Sequence, residues 1–382
     1  MTSRKGTVTK MEAWIQETYD KILKKERKVV ERNQHIIPYT TKDNRFVDKS
    51  ENEICWWTNG FWGGMLWQLY VATKDELYKQ CALETEKKLD ENLLIHQGID
   101  HDNGFKWLPT SIANYHLTGD MDARNRGLLA ADLLAGRYNP VGKFIRAWNN
   151  WDGNEDGSFA GRVIIDCMMN LPLLYWASEE IHDPRYYQIA TNHADTVMKH
   201  FIREDGSVCH IVDFDPYTGE FIHSVGGQGY GEGSSWTRGQ GWALYGFALS
   251  YVHTKDKQYL EVSKKVADYF IANIPASGCI PVDFRQPATP AFEDSTAAAI
   301  AACGMLTLAK ELEDGSKYEE AAKLLLRTLS EKRCNWDENA DQLVEKCTAA
   351  YHDAEHEFTI IYGDYYFIEG IWKLMQKECM IW

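Results

Sequence analysis

Three polar side chains recur at four-residue intervals in an otherwise apolar stretch, residues 161–176. Arg162, Asp166 and Asn170 would share one face of a helix, with isoleucine, methionine and leucine on the remainder. A helix that is apolar nearly all round is buried, so the carboxyl of Asp166 would lose its hydration. Burial raises the pKa of a carboxyl group, and an acid with a near-neutral pKa can donate a proton in catalysis. The stretch predicts either a catalytic acid at Asp166 or a structural Arg162–Asp166 ion pair.

A second carboxylate stands in a loop of turn-forming and aromatic residues, where His101 and Asp102 precede the sequence NGFKW. Sugar hydrolysis repeatedly uses two carboxylates, which makes Asp102 a candidate partner for Asp166. Further candidates are Asp213, Asp215, Asp283, Asp294 and Asp364. The last two stand where helices are predicted to start, and this position favours a capping role.

A glycine-rich segment, residues 226–242, matches neither the Walker spacing nor the dinucleotide-binding fingerprint. We interpret it as a compact loop that presents Gln228, Trp236 and Arg238 beside His210. An arginine can hold a carboxylate through two parallel hydrogen bonds, so Arg238 is a candidate for binding an anionic sugar. Several tryptophans could stack on sugar rings or belong to the core: Trp57, Trp62, Trp148 and Trp151.

The elements that must position these residues follow an alternating pattern. Apolar segments at 58–72, 107–117, 163–178, 238–253, 295–312 and 364–376 alternate with charged amphipathic ones at 8–33, 75–95, 121–136, 184–203, 257–273 and 316–331. An aspartate precedes five of the charged segments, as expected of helix N-caps. The pattern predicts an all-α fold of six helical hairpins closed into an (α/α)6 barrel, one domain over residues 1–382. Pro172 would kink the third inner helix, and residues 207–224 predict a small β-hairpin on the rim.

Composition excludes several classes of protein. The net charge of -15 argues against nucleic acid and against an anionic membrane surface as partners. No apolar run is long enough to span a bilayer, and the N-terminus shows no signal-peptide pattern. Nine cysteines without a C-x-x-C pair indicate neither a disulfide framework nor a zinc site. We expect a cytoplasmic protein without metal or cofactor; the oligomeric state is left open.

Several segments together resemble the unsaturated glucuronyl hydrolases of glycoside hydrolase family 88. They are WTNGFWGG at 57–64, HDNGF at 101–105, IDCMMN at 165–170, His210, GQGY at 227–230, SWTRGQGW at 235–242 and YGDYY at 362–366. The resemblance implies a six-hairpin α/α barrel and hydrolysis of oligosaccharides that end in a 4,5-unsaturated glucuronic acid. It also implies that Asp166 is the general acid/base and Asp102 the second essential carboxylate. The substrate contacts that it implies are Trp57, His101, Trp151, His210, Gln228, Trp236 and Arg238.

Three alternatives follow from the same residues. The related unsaturated rhamnogalacturonyl hydrolases use the same fold and carboxylate pair. Sugar 2-epimerases share the barrel but rely on histidines, for which only His210 and His101 are candidates here. A non-catalytic sugar-binding barrel would need no buried Asp166.

The segment 352–359 is acidic and lacks the lysine of relatives that favour sulfated substrates. It therefore predicts a preference for unsulfated sugars.

Overall fold

The computed structural model describes residues 12–150, 157, 159–379 and 381–382. Thirteen α-helices are found in this part of the chain: α1 Ala13–Arg32, α2 Asn59–Thr73, α3 Glu76–Leu89, α4 Asn103–Trp107, α5 Ala113–Thr118, α6 Met121–Ala135, α7 Leu171–Ile181, α8 Pro184–Phe201, α9 Thr237–Thr254, α10 Lys257–Ala272, α11 Ser295–Glu311, α12 Ser316–Lys332 and α13 Ile361–Leu374. Eleven of the twelve predicted segments match one of these helices or, at residues 107–117, the chain from α4 to α5, whereas segment 163–178 coincides with α7 only from Leu171 onward.

The helices form two concentric rings, which confirms the predicted (α/α)6 barrel. Around the inner ring, α2 contacts α4, then α7, α9, α11 and α13 follow, and α13 contacts α2 again. The inner helix α9 buries every residue from Thr237 to Ser250, whereas the outer helix α1 buries one face only. This difference explains the alternation in the sequence, since an inner helix meets protein on all sides and an outer helix meets water on one.

Aspartates cap the outer helices as expected. The side chains of Asp75, Asp120, Asp183 and Asp256 accept hydrogen bonds from backbone N–H groups in the first turns of α3, α6, α8 and α10. For α12 the cap residue itself is Gly315, and the preceding Asp314 accepts from the N–H of Ser316.

The predicted hairpin is present, as part of a larger sheet. Seven short strands are described: β1 Pro38–Lys42, β2 Arg45–Asp48, β3 Tyr138–Asn139, β4 Phe144–Ile145, β5 Arg162–Ile164, β6 Ile211–Phe214 and β7 Phe221–Val225. The hairpin β6–β7 gains β5 as a third antiparallel strand, while β1–β2 and β3–β4 form two separate pairs.

The prediction of one helix over residues 161–176 was wrong. Strand β5 is followed by a 3₁₀ helix at Ile165–Met169, and α7 begins only at Leu171. Pro172 therefore lies in the first turn of α7, where a missing N–H costs no hydrogen bond, and it does not kink a helix. The side chain of Arg162 pairs with Asp213 across the sheet, at 2.8 Å for both N–O contacts, and not with Asp166.

Two other details differ from the prediction. The second inner helix begins at Asn103, and a π-helical turn at Leu108–Ile112, which contains Pro109, separates α4 from α5. Asp294 caps α11 as predicted, but Asp364 does not cap α13. Its carboxyl instead accepts from the backbone N–H groups of Leu343 and Val344.

One contiguous cluster of buried apolar side chains extends from Ile15 in α1 to Trp382. That residues 1–382 form a single domain stays a prediction. None of the described helices combines the length and the apolar character that a membrane crossing demands.

Candidate active site

Irregular segments from different parts of the ring meet at one mouth and enclose a cavity of about 400 Å³. Six of the nine predicted site residues line it: Trp57, His101, Asp102, Asp166, His210 and Gln228. A larger open groove, about 740 Å³, lies on the outer ring between α10 and α12, lined by surface charges and aliphatic side chains. The cavity at the mouth is the candidate site because it, and not the groove, brings buried titratable groups together.

Strand pairing places Asp166 opposite His210. Ile164 pairs with Ile211 in the sheet, and the N–H of Ile165 donates to the carbonyl of His210 at 3.0 Å. The chain then turns into the 3₁₀ helix, whose first turn carries Asp166. This geometry sets Oδ2 of Asp166 at 3.7 Å from Nε2 of His210, and neither atom has a hydrogen-bond partner among the described residues.

The environment of Asp166 suits a proton donor. Burial raises the pKa of its carboxyl to about 7, while the positive charge of Arg238 opposes the rise. The side chain retains 14% of its exposure, on the cavity side. An acid with this pKa is populated in both protonation states near neutral pH, which general acid/base catalysis requires.

Hydrogen bonds through the side chain of Asn170 connect Asp102 to the backbone of Asp166. Burial, with the charges of Asp100 and Asp166, raises the pKa of Asp102 well above its usual value. The amide Nδ2 of Asn170 lies 3.3 Å from both Oδ1 of Asp102 and the carbonyl oxygen of Asp166. Asn170 is itself held by the N–H of Phe105, which donates to its Oδ1 at 2.8 Å. One buried amide thus joins the loop that carries Asp102 to the turn that carries Asp166.

His210 is fixed as a neutral hydrogen-bond donor. The backbone N–H of Gln228 donates to its Nδ1 at 2.9 Å, so the ring proton of the neutral form resides on Nε2 and faces Asp166. Burial, assisted by the charge of Arg238, lowers the pKa of His210 to about 3. Gly227 permits this contact: its φ is +58°, and a Cβ there would lie 2.0 Å from Nδ1 of His210.

His101 is also neutral, because burial lowers its pKa to about 4. Its Nε2 lies 3.5 Å from Oδ2 of Asp102, and its Nδ1 has no partner among the described residues. The ring of His101 therefore lies beside Asp102 on one side of the cavity, as His210 faces Asp166 on another.

Trp236 and Arg238 lie behind and beside this cavity. The indole of Trp236 is buried against the ring of His210, with 4.1 Å between centroids, and the guanidinium of Arg238 packs over the same indole at 4.5 Å. Arg238 lines an adjoining cavity of about 350 Å³, which shares Trp56, Trp57 and Gln228 with the first.

The hydrogen bonds of Arg238 differ from those expected of a two-point clamp on substrate. Its Nη1 donates to Asp294 at 2.5 Å and to the carbonyl of Thr348 at 2.7 Å, and its Nη2 donates to the carbonyl of Ala349. Most of the guanidinium is thereby committed to the protein. Its charge still reaches Asp166, as the effect on the pKa of that carboxyl shows.

Of the four candidate stacking tryptophans, Trp57 lies between the two cavities, half-buried, with its ring against Phe105 and Tyr362. Trp148 lines the first cavity, and Trp62 is fully buried in the core. Trp151 falls outside the described residues. The alternative carboxylates Asp213, Asp215 and Asp283 have structural partners: Arg162 for the first, and backbone N–H groups for the other two.

Sequence reasoning missed several lining residues: Cys55, Trp56, Asp100 and Ile164 in the first cavity, and Lys49 in the second. Asn170 was noted only for its spacing from Asp166. Lys49 had no signal in the sequence, because its position depends on how β2 and the following turns fold back over the mouth.

Comparison with known proteins places the chain in a family. The family model for Glycosyl Hydrolase Family 88 matches residues 14–373. The unsaturated glucuronyl hydrolase of Bacillus sp. strain GL1 is 36% identical over 85% of this chain and 88% of that protein. The unsaturated chondroitin disaccharide hydrolase of Streptococcus pneumoniae is 34% identical over 85% of this chain and 83% of that protein.

Solved structures agree. The crystal structure of the Bacillus sp. GL1 unsaturated glucuronyl hydrolase matches with a TM-score of 0.88 and 33% identity, covering 94% of this chain and 96% of that one. The Streptococcus agalactiae unsaturated glucuronyl hydrolase matches with a TM-score of 0.88 and 30% identity, over 98% and 95% of the two chains. The chain is therefore a glycoside hydrolase and belongs to Glycosyl Hydrolase Family 88.

Proposed function

We propose that this enzyme removes the non-reducing-end 4,5-unsaturated glucuronic acid from oligosaccharides produced by polysaccharide lyases. Relatives named unsaturated glucuronyl hydrolase and unsaturated chondroitin disaccharide hydrolase support the substrate class. The observation that carries the proposal is the Asp166 carboxyl, buried at the cavity wall with a pKa of about 7 and with Oδ2 lacking a hydrogen-bond partner among the described residues.

The terminal sugar of such a substrate contains a vinyl ether, C4=C5–O. Asp166 in its acid form donates a proton to C4, and the positive charge that develops is shared by C5 and the ring oxygen. The Asp166 carboxylate then accepts a proton from water as the hydroxyl adds to C5. The resulting hemiketal opens to a ketone, and the hemiacetal left at C1 expels the remaining sugar as an alcohol. One water is consumed, and Asp166 ends in its acid form.

Two groups beside Asp166, Asp102 and His210, can hold the substrate in place during these steps. Asp102, held by Asn170, supplies a second carboxyl, whose pKa is raised by burial and by the charges of Asp100 and Asp166. We assign it the role of fixing the substrate through hydrogen bonds to hydroxyl groups. His210 presents Nε2–H beside Oδ2 of Asp166, where it can donate to the sugar without titrating near neutral pH.

The two adjoining cavities suit a substrate of at least two sugars. The first, around Asp166, takes the unsaturated ring, with Trp57 as a stacking surface at the boundary. The second, lined by Arg238, Lys49, Asp353 and Glu355, takes the next sugar. One solved structure of an unsaturated glucuronyl hydrolase variant, which matches this chain with a TM-score of 0.87 and 33% identity, is that of a complex with dGlcA-Glc-Rha-Glc. This complex supports a substrate longer than one sugar.

The histidines argue against the epimerase alternative. Burial keeps both His101 and His210 neutral, with pKa values of about 4 and 3. Such rings are weak bases near pH 7, whereas epimerisation needs a base strong enough to remove a proton from carbon.

A cytoplasmic location is also part of the proposal, and it is supported by nine cysteines that are all free thiols.

The decisive assay follows the loss of the conjugated double-bond absorbance on purified unsaturated disaccharides from chondroitin and hyaluronan, with pectin-lyase products in parallel. We expect turnover of the glucuronyl substrates and a fall in kcat of roughly three orders of magnitude in Asp166→Asn. Glu86→Gln, which alters a buried carboxyl that does not line the cavity, is the matched control and should retain most of kcat. Turnover of the pectin-lyase products alone would favour the rhamnogalacturonyl alternative. More than about a tenth of wild-type kcat in Asp166→Asn would reject the assignment of the acid.

A further inference from the structure

One large aromatic side chain at the rim of the second cavity faces solvent. Tyr230, in the loop between β7 and α9, is 42% exposed. An isolated surface tyrosine needs no explanation by itself. Tyr230, however, is held by contacts on both sides of its backbone and of its ring.

The backbone of Tyr230 is fixed on both sides. Its N–H donates to Oδ2 of Asp283 at 3.0 Å, and its carbonyl accepts from Nε2 of His352 at 2.7 Å. Two more hydrogen bonds join the same pair of loops: Tyr351 N–H to the carbonyl of Gln228 at 2.9 Å, and Nε2 of Gln228 to the carbonyl of Ala349 at 3.0 Å. The two loops therefore form one connected rim.

The ring of Tyr230 is also oriented by its neighbours. The ring of Tyr351 meets it edge-on, with 5.1 Å between centroids, and His352 lies offset against it at 6.2 Å and 25°. Tyr351 is buried and continues the contact to Phe292, at 5.5 Å. A ring held this way loses little conformational freedom when a ligand packs on it, which favours binding.

The position of this ring relative to the site follows from its neighbours in sequence. Gln228, two residues before Tyr230, lines both cavities. Ala349 and Asp353, on either side of the two residues that touch the Tyr230 ring, line the second cavity. The ring thus belongs to the part of the rim that borders the cavity which would hold the second sugar.

We propose that Tyr230 is a stacking platform for the third sugar ring of a substrate longer than a disaccharide. The proposal rests on the proposed function and extends it by naming chain length as a determinant of rate. A tyrosine suits the task because its flat apolar face can cover the C–H face of a pyranose while its hydroxyl remains in water. A disaccharide ends in the second cavity and does not reach the platform.

The experiment compares kcat/KM for an unsaturated disaccharide and an unsaturated tetrasaccharide, both prepared from hyaluronan with a lyase. The quantity measured is the tetrasaccharide-to-disaccharide ratio in wild type, Tyr230→Ala, Tyr230→Phe and Tyr187→Ala. Tyr187 is the matched control, because it is 39% exposed, contacts another aromatic ring and lies on the outer helix α8.

We expect Tyr230→Ala to lower the ratio by roughly three- to tenfold, the range of one aromatic contact. Tyr230→Phe keeps the ring and should keep the ratio, as should Tyr187→Ala. An unchanged ratio in Tyr230→Ala, or a loss shared equally by both substrates, would overturn the platform. Failure of wild type to turn over either sugar would refute the proposed function instead. In that case, calorimetric binding of the tetrasaccharide to wild type and Tyr230→Ala still decides the platform: unequal affinity supports it and equal affinity overturns it.

Discussion

At the level of single residues, the proposed chemistry depends on Asp166, because burial raises the pKa of its carboxyl to about 7. Its position in an apolar stretch of the sequence is what made it a candidate acid. The expected partner, Arg162, turned out to pair with Asp213. Arg162 lies in the extended strand β5 and Asp166 in the 3₁₀ helix that follows it, so the two side chains never share the helical face on which that prediction depended.

The pKa of Asp166 leads to a pH prediction. The acid form is the proton donor, so the active fraction is lost as the pH rises through about 7. Above that value kcat/KM should fall about tenfold per pH unit, as expected for one titrating group of the free enzyme. The measurement is kcat/KM between pH 5 and 9, with thermal unfolding recorded at each pH to exclude loss of the fold. A profile that stays level to pH 9 would contradict Asp166 as the donor.

Asn170 provides a second prediction at this scale. Replacing it with alanine removes the amide that lies 3.3 Å from Asp102 and from the Asp166 carbonyl, and should lower kcat/KM by roughly tenfold or more. The pKa of Asp102 should rise further, because the lost donor stabilised its charged form.

The matched control for Asn170→Ala is Asn114→Ala. Asn114 is likewise buried and donates to a buried carboxyl, Glu86, at 2.8 Å, but it lies outside the cavity. Both variants should lose stability, and only Asn170→Ala should alter the pH profile. Identical profiles for the two variants would reduce Asn170 to a packing residue.

At the level of elements, the helix pattern was predictable because the same unit repeats around the ring: a buried inner helix, an aspartate cap and a half-exposed outer helix. The inner helices are apolar on all sides and the outer ones on one face only, so the sequence distinguishes them. Residues 161–176 broke the pattern. The β-branched Val163, Ile164 and Ile165 favour a strand, but this preference became decisive only through pairing with β6, which lies some fifty residues later.

The loop after β7 yields the third prediction, since its glycines have different roles. Gly227 has a positive φ, and a Cβ there would clash with His210 at 2.0 Å. Gly227→Ala should therefore displace His210 or break its hydrogen bond to Gln228, and lower kcat/KM by roughly tenfold or more while the barrel stays folded.

Gly231→Ala in the same loop is the control, because a Cβ there would meet nothing within 4 Å. Activity should stay near wild type. If both alanine variants lose activity to the same extent, loop flexibility and not the placement of His210 is the cause.

At the level of the whole molecule, the barrel explains why residues so far apart in sequence form one site. Every inner helix is preceded by an irregular segment at the same mouth, so residues 49, 102, 166, 228 and 353 all line adjoining cavities. Topology could be predicted from the helix pattern, and with it the gathering of the loops. The path of each loop could not, because loop contacts such as that of Lys49 with Trp56, at 4.4 Å, depend on tertiary packing.

Two carboxylates at this mouth lead to the last prediction. Asp353 and Glu355 line the second cavity, as the acidic segment 352–359 had indicated. The cations there are engaged: Lys49 pairs with Glu53 at 2.9 Å, and Arg238 pairs with Asp294. A sulfate on the second sugar would have to leave water in the field of two carboxylates, which costs free energy unless a cation is released to meet it.

We therefore expect unsaturated chondroitin disaccharide to be preferred over its 6-sulfated form by roughly tenfold or more in kcat/KM at low salt, equivalent to about 1.4 kcal/mol. Added salt should narrow the gap, since it screens the carboxylates of the open cavity. The double variant Asp353→Asn with Glu355→Gln should narrow it as well. Glu357→Gln should not, because Glu357 pairs with Lys346 and does not line the cavity. Equal or faster turnover of the sulfated sugar by wild type would show that Lys49 or Arg238 leaves its partner to bind the sulfate, and that the acidic segment does not set the preference.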